Sequence, residues 1–299
     1  MKLQKACLAF VVALTGPASV AFSQNAITPD FLSFHEFQTA ENFSEHGTHS
    51  FTSEKRERIE TERHDFTQST TTVGRGVAQF EFGYTYFSRD EGPGSEDSHA
   101  TPELLFRYGL TEDLEFRLRY NNVWQFGEED RNGAEDLHWA FKLRTTDQDD
   151  WLPESALEIR FTAPTGSNDW STDDIEFGLD YIYGWKLSPT VELYGSTGFS
   201  TNALGEFAFA PANPADDDFI LYTQSVALGV ELTEQVSVYY EFFGLFTDGF
   251  EDREEAPIFF NIGVDYYVSA DFVLDARIGT GLNPDAEDLF VGVGGAFRF

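Results

Sequence analysis

Cysteine is almost missing: the 299 residues hold one, Cys7, which excludes a disulfide framework. No Leu-rich lipobox precedes it, so a lipoprotein anchor is excluded too. Basic residues are scarce, 19 Lys and Arg against 52 Asp and Glu for a formal net charge of −33. Nucleic-acid binding needs basic patches that displace counterions, so it is not expected. No apolar run reaches the roughly 18 residues of a membrane helix, and helical periodicity is rare. What the chain has instead is 16% aromatics, 25 glycines and acidic punctuation.

The N-terminus reads as a secretory signal peptide. Lys2 and Lys5 form a positive start, residues 6–14 an apolar stretch, and Ala21-Phe22-Ser23 a small-residue cleavage site before Gln24. Gly16-Pro17 interrupts a run already too short to span a bilayer. Cys7 and two of the few lysines leave with the signal, so the remainder is more acidic still.

From Gly76 onward, apolar and polar residues alternate over runs of about ten, the length of a tilted membrane strand. Residues 114–124 are the cleanest case: Leu114, Phe116, Leu118 and Tyr120 oppose Glu115, Arg117, Arg119 and Asn121. Similar runs are expected at residues 77–87, 101–110, 137–143, 157–163 and 175–185. Glycine-richer ones follow at 190–199, 220–232, 236–245, 257–268, 272–282 and 289–299. The connectors alternate between short (111–113, 188–189, 233–235, 269–271) and long and acidic (88–99, 125–135, 164–174, 200–219, 246–256, 283–288). Short turns at one end and long loops at the other are the pattern of an outer-membrane barrel. Only the connector at 145–155 breaks it, being long on the short-turn side. The apolar face is aromatic and almost free of charge, while the other face carries both signs, as a confined lumen would. Closure removes the exposed edges that so many strands would otherwise leave.

The expected fold is therefore all-β: a closed antiparallel transmembrane β-barrel of about twelve strands with a flexible N-terminal periplasmic leader. Residues 1–23 are the signal peptide, 24–75 a periplasmic leader or plug segment, and 76–299 the barrel in the bacterial outer membrane. Within the leader, residues 29–45 are weakly helical with Thr28 as N-cap. Asp65-Phe66-Thr67 is the stretch that would fold back into the lumen as a plug, a polar segment being satisfiable there.

Glu62-Arg63-His64-Asp65-Phe66-Thr67, residues 76–86 and the step Tyr108-Gly109-Leu110-Thr111-Glu112-Asp113 carry a resemblance. From about Glu60 to the end the chain resembles a bacterial family of outer-membrane transporters named for the MetA-pathway phenol-degradation protein. It departs from the family's opening stretch at Glu62 and at His64, which stands where a proline is usual. The resemblance implies a barrel that passes small molecules, small aromatic compounds among them.

Inward-facing charge marks the candidate site. Arg107, Arg117, Arg119, Lys142, Arg144 and Arg160 fall on the second to fifth strands. Glu176, Asp180, Glu192, Glu231, Glu241, Asp265 and Asp275 fall on the sixth to eleventh. Glu81, Glu115, His138, Glu158 and Arg277 join them as pore-lining residues. The expected picture is a basic wall facing an acidic one, an arrangement that selects ions and polar solutes; the alternative is a salt-bridged filling that closes the barrel. Passive diffusion of small solutes through this charged lumen is the expected function. The alternative is a structural or adhesive barrel whose acidic loops, such as Glu128-Glu129-Asp130, Asp216-Asp217-Asp218 and residues 251–255, bind divalent cations, lipopolysaccharide or a partner. Outer-membrane lipid, lipopolysaccharide and small solutes are the expected partners. No cofactor is expected, His46 and His49 alone do not make a metal site, and Asp136 with His138 lacks a placed nucleophile, so no enzyme is expected.

Overall fold

A computed structural model describes residues 58–63, 65–89, 96–127, 130–167, 170–201, 220–248 and 256–299. The chain divides into Met1–Thr52 and Ser53–Phe299, and the described residues belong to the second unit. The signal peptide, the helical reading of residues 29–45, the His46 and His49 pair and most of the acidic loops lie outside them.

All twelve expected strands are present. They begin with β1 (Ala78–Arg89), β2 (Glu96–Gly109) and β3 (Leu114–Phe126), then a short β4 (Arg131–Ala134). β5 (Leu137–Thr146), β6 (Glu154–Ala163), β7 (Phe177–Ser188), β8 (Val191–Thr201) and β9 (Ile220–Glu231) follow. β10 (Val236–Asp248), β11 (Ile258–Ser269), β12 (Phe272–Gly281) and β13 (Leu289–Arg298) complete the sheet. Each pairs antiparallel with its neighbour in sequence, and β1 pairs with β13, so the sheet closes. β4 and β5 lie along the same edge of β3, β4 against Asn122–Gln125 and β5 against Leu114–Arg119. They form one stave interrupted at Glu135-Asp136, which makes thirteen strands a twelve-stave barrel.

The period-two pattern sets which face meets lipid. Trp139, Phe141, Leu143, Tyr181, Tyr240, Phe242 and Ile278 are exposed on the outside. Near one rim, Trp139, Phe161, Phe177 and Phe199 form an aromatic ladder across four staves, with ring centroids 5.0, 5.6 and 6.1 Å apart. A girdle of rings at the membrane interface is what such barrels use to fix their depth.

The short turns are legible residue by residue. Thr111, Ser188, Thr233 and Ser269 each accept a backbone N–H from two residues further on, at 3.2, 3.3, 3.2 and 3.2 Å. Hydroxyl residues close tight turns this way. The long turn expected at 145–155 is shortened by a bridge between Asp149 and Leu152, with β5 and β6 extending into it. β2 begins at Glu96 rather than 101, continuing past an irregularity between Ala100 and Glu103.

Candidate functional site: the charged lumen and the segment inside it

Residues 58–63 and 65–73 lie inside the barrel. The expected flexible leader is corrected for this stretch, and the reason is hydrogen bonding: its polar groups find partners on nearly every side of the lumen. Ile59 N–H donates to the Ala270 carbonyl at 2.9 Å, at the β11–β12 turn. From there the chain rises to Phe66 and returns, its two limbs joined by Ser69 Oγ donating to Glu62 at 2.8 Å and by Thr71 to Glu60. The return ends in a sharp turn before β1, where Gly74 and Gly76 adopt φ of +83° and +75°, a region glycine enters without strain. A Cβ on Gly109 would overlap the Gly74 carbonyl, so β2 lets the segment pass only because it carries glycine there.

Two side chains of the segment hold most of its charge contacts. The Glu62 carboxylate meets Arg107 at 3.1 Å, Arg117 at 2.5 Å and the Lys142 ammonium. Burial alone would raise its pKa, but these three cations outweigh that and hold the carboxyl well below the usual carboxylate range. Arg63 reaches Glu103 at 2.6 Å and Asp275 at 2.7 Å, on staves either side of β1 and β13. Burial would lower its pKa, yet Glu103, Asp275 and Glu81 raise it instead, so it stays charged. Gly83 and Gly294, paired across β1 and β13, make the room: a Cβ on either would overlap the Arg63 guanidinium.

Lumen carboxylates also serve as acceptors for the segment's backbone. Glu62 and Arg63 N–H donate to Glu81 at 2.9 and 3.0 Å, Phe66 and Thr67 N–H to Glu241 at 3.0 and 2.6 Å, and Val73 N–H to Glu115 at 2.8 Å. This accounts for part of the acidic excess inside. An irregular segment buried in a barrel needs such acceptors, because its N–H groups have no ladder.

The inward-facing assignments divide into two groups. Glu81, Arg107, Glu115, Arg117, His138, Lys142, Glu158, Arg160, Glu176, Asp180, Glu241, Asp275 and Arg277 are buried inside. Arg119 and Asp265 are half-buried, while Arg144, Glu192 and Glu231 sit towards the short-turn end with more exposure. Arg144 pairs locally with Asp147, and Glu231 with Arg58.

Much of the charge on the two expected walls is paired along the wall. Charges pair sideways: Arg107 with Glu115 at 2.7 Å and Arg160 with Asp180 at 2.8 Å on adjacent staves, and Arg117 with Glu158 two staves away, across β5. Pairing with a neighbour costs less desolvated distance than pairing across a lumen. Glu103, which parity with Arg107 places inside, Asn261 and Gln79 are buried lumen residues that the inward set omitted. Asp136 accepts from Thr165 N–H at 2.9 Å, Gly166 N–H at 2.8 Å, Ser171 Oγ at 2.8 Å and Thr172 N–H at 3.0 Å. It organises the β6–β7 loop.

Above the tip of the segment the lumen turns apolar. Phe87, Phe243, Leu245, Phe259, Phe290 and Leu221 cluster with Phe66 packed against them. Phe66 stacks on Phe243 at 4.4 Å and Phe243 on Phe259 at 4.7 Å. At the short-turn end a cavity of about 520 Å³ remains between the segment and the β8–β11 wall. Glu60, Glu154, Glu192 and Glu231, Tyr194 and Tyr267 are among its lining residues.

Residues 61–299 match the model of the family described as "Putative MetA-pathway of phenol degradation". The chain belongs to this family. No curated protein sequence matches it. Among solved structures, it is similar to the translocator domain of the autotransporter NalP from Neisseria meningitidis, with 10% identity, TM-score 0.51, and coverage of 76% of this chain and 89% of that one. It is also similar to the NanC porin (7% identity, TM-score 0.49, 74% and 100% covered) and to the Pseudomonas putida toluene transporter TodX (10%, 0.35, 74% and 88%). At these identities the likeness is one of fold. The family member described here is a closed antiparallel β-barrel.

Proposed function

We propose that the chain is an outer-membrane channel for passive diffusion of small solutes, small aromatic compounds among them, and that residues 58–73 are a plug that regulates its lumen. The observation that carries this reading is the nature of the filling. Narrow barrels are filled by their own interdigitated side chains, and a twelve-stave barrel is wide enough to leave space. Here the space is taken by one polar segment held through ion pairs and hydrogen bonds, with a cavity of about 520 Å³ beside it. A filling attached at Gly74–Gly76 and otherwise held by noncovalent contacts, polar ones with Phe66 and Ile59 packed on apolar residues, can leave as a unit. The short turns face the periplasm in this reading and the long acidic loops face outward, with lipopolysaccharide around them.

The aromatic part of the proposal is supported by the ring cluster around Phe243, whose faces Phe66 occupies. The family description, which names phenol degradation, is in keeping with it. The role of Asp136 in holding a loop counts towards a non-enzymatic protein.

Planar-bilayer recording of the purified full chain tests the proposal. Discrete conductance steps are expected, with phenol entering protein-containing liposomes faster than empty ones. Absence of conductance from both the full chain and a form lacking residues 58–73 would contradict it.

A further inference from the structure

Three cationic side chains converge on one carboxylate in the lumen. Glu62 Oε1 faces the Lys142 ammonium and Arg107 Nη2 at 3.1 Å, while Oε2 faces Arg117 Nη2 at 2.5 Å. Ser69 Oγ adds a fourth donor at 2.8 Å. All four charged groups are buried. Glu81, Glu115 and Glu158 formally balance the three cations, so the place does not act as a broad positive field. What it offers is hydrogen-bond donors at Oε1, from Lys142 and Ser69, and guanidinium ion-pair contacts at both oxygens, Arg107 at Oε1 and Arg117 at Oε2. Among the described residues, Lys142, with no exposed surface, has its ion pair and hydrogen bond with Glu62 alone. If the segment leaves, a buried ammonium loses its direct partner, which is costly until another anion replaces it.

We propose that Arg107, Arg117 and Lys142 form a carboxylate-binding site in the lumen, that Glu62 is its resident occupant, and that small organic monocarboxylate solutes compete with Glu62 for it. A monocarboxylate supplies both oxygens in the same plane; chloride supplies one point of charge. Carboxylate binding therefore favours the withdrawn segment, and the segment in turn excludes carboxylate. Entry of the solute through the barrel rests on the channel reading, whereas binding at this site does not. Glu62 is tethered and competes at an effective concentration on the order of millimolar, so displacement needs solute at comparable concentration.

The test is binding of benzoate and of acetate to the full chain in detergent, measured by titration calorimetry, with barrel formation checked by heat-modifiable gel mobility. Glu62→Ala removes the tethered competitor and should bind benzoate about tenfold or more tightly than the wild type. A second measurement covers the case in which that variant does not form a barrel. With Glu62 retained, Thr67→Cys places a thiol at the buried tip, and benzoate should speed its alkylation several-fold over chloride at equal ionic strength. Equal benzoate affinity in wild type and Glu62→Ala would overturn the proposal. So would alkylation of Cys at position 67 that benzoate and chloride leave the same. Neither readout needs conductance, so a failed channel reading and a failed carboxylate site give different results.

Discussion

The two sides of the lumen differ in how they are filled. Against β2, β3 and β5 the folded-in segment sits in a continuous set of ion pairs, Glu62 with Arg107, Arg117 and Lys142. Against β8 to β11 at the short-turn end, the same segment leaves a cavity of about 520 Å³. The first side supplies cations at the height of Glu62; the second supplies mostly acids and tyrosines, among them Glu192, Glu231 and Tyr194. Occlusion is thus set locally by where opposite charge lies at the height of Glu62.

The strongest way to break this contrast is to lock the segment to the opposite side, at β9. Thr67 Oγ1 and Ser225 Oγ are 2.6 Å apart, close enough for Thr67→Cys with Ser225→Cys to be bridged. The oxidised double variant should lose essentially all single-channel openings and regain them on reduction. Next comes Arg63→Met, which leaves Glu103 and Asp275 without their guanidinium and should weaken the folded-in state by about 3–5 kcal/mol. Alkylation of a cysteine at position 67 measures it, as a rise in rate. Gly294→Ala keeps every charge but collides with Arg63, and should loosen the segment by about 1–3 kcal/mol in the same assay.

Acid sharpens the contrast in a defined direction. The Glu62 carboxyl is held low in the folded-in state, so its contribution is complete above the usual carboxylate range and lost as pH falls below it. Alkylation at position 67, taken relative to that of a free cysteine thiol at the same pH, should be flat between about pH 5 and about pH 8 and rise only in stronger acid. The smallest effect is expected at the rim, where Arg58 and Glu231 are partly exposed. Glu231→Gln should change the folded-in state by about 1 kcal/mol or less.

The strands were legible because alternation has a period of two and lipid enforces it over ten residues, as Leu114 to Tyr120 illustrate. The early start of β2 was not, since Glu96-Asp97-Ser98-His99 carries no apolar outer face. β4 is four residues without a pattern. The interior was legible only by parity, which places Arg107 and Glu103 inside but does not say whom they pair with. The segment at 58–73 was the least readable part. A polar stretch reads alike whether water or a lumen satisfies it, and its partners are remote in sequence, Asp275 lying 212 residues from Arg63. Asp65, Phe66 and Thr67 stand at its tip, while Glu62 and Arg63, which hold it, figured only in a family resemblance.

That residues 58–73 regulate passage is tested most directly by comparing the single-channel conductance of the full chain with that of a form lacking those residues. The account predicts a conductance at least several-fold larger, and continuously open, in the shortened form. Equal conductance in the two would contradict it.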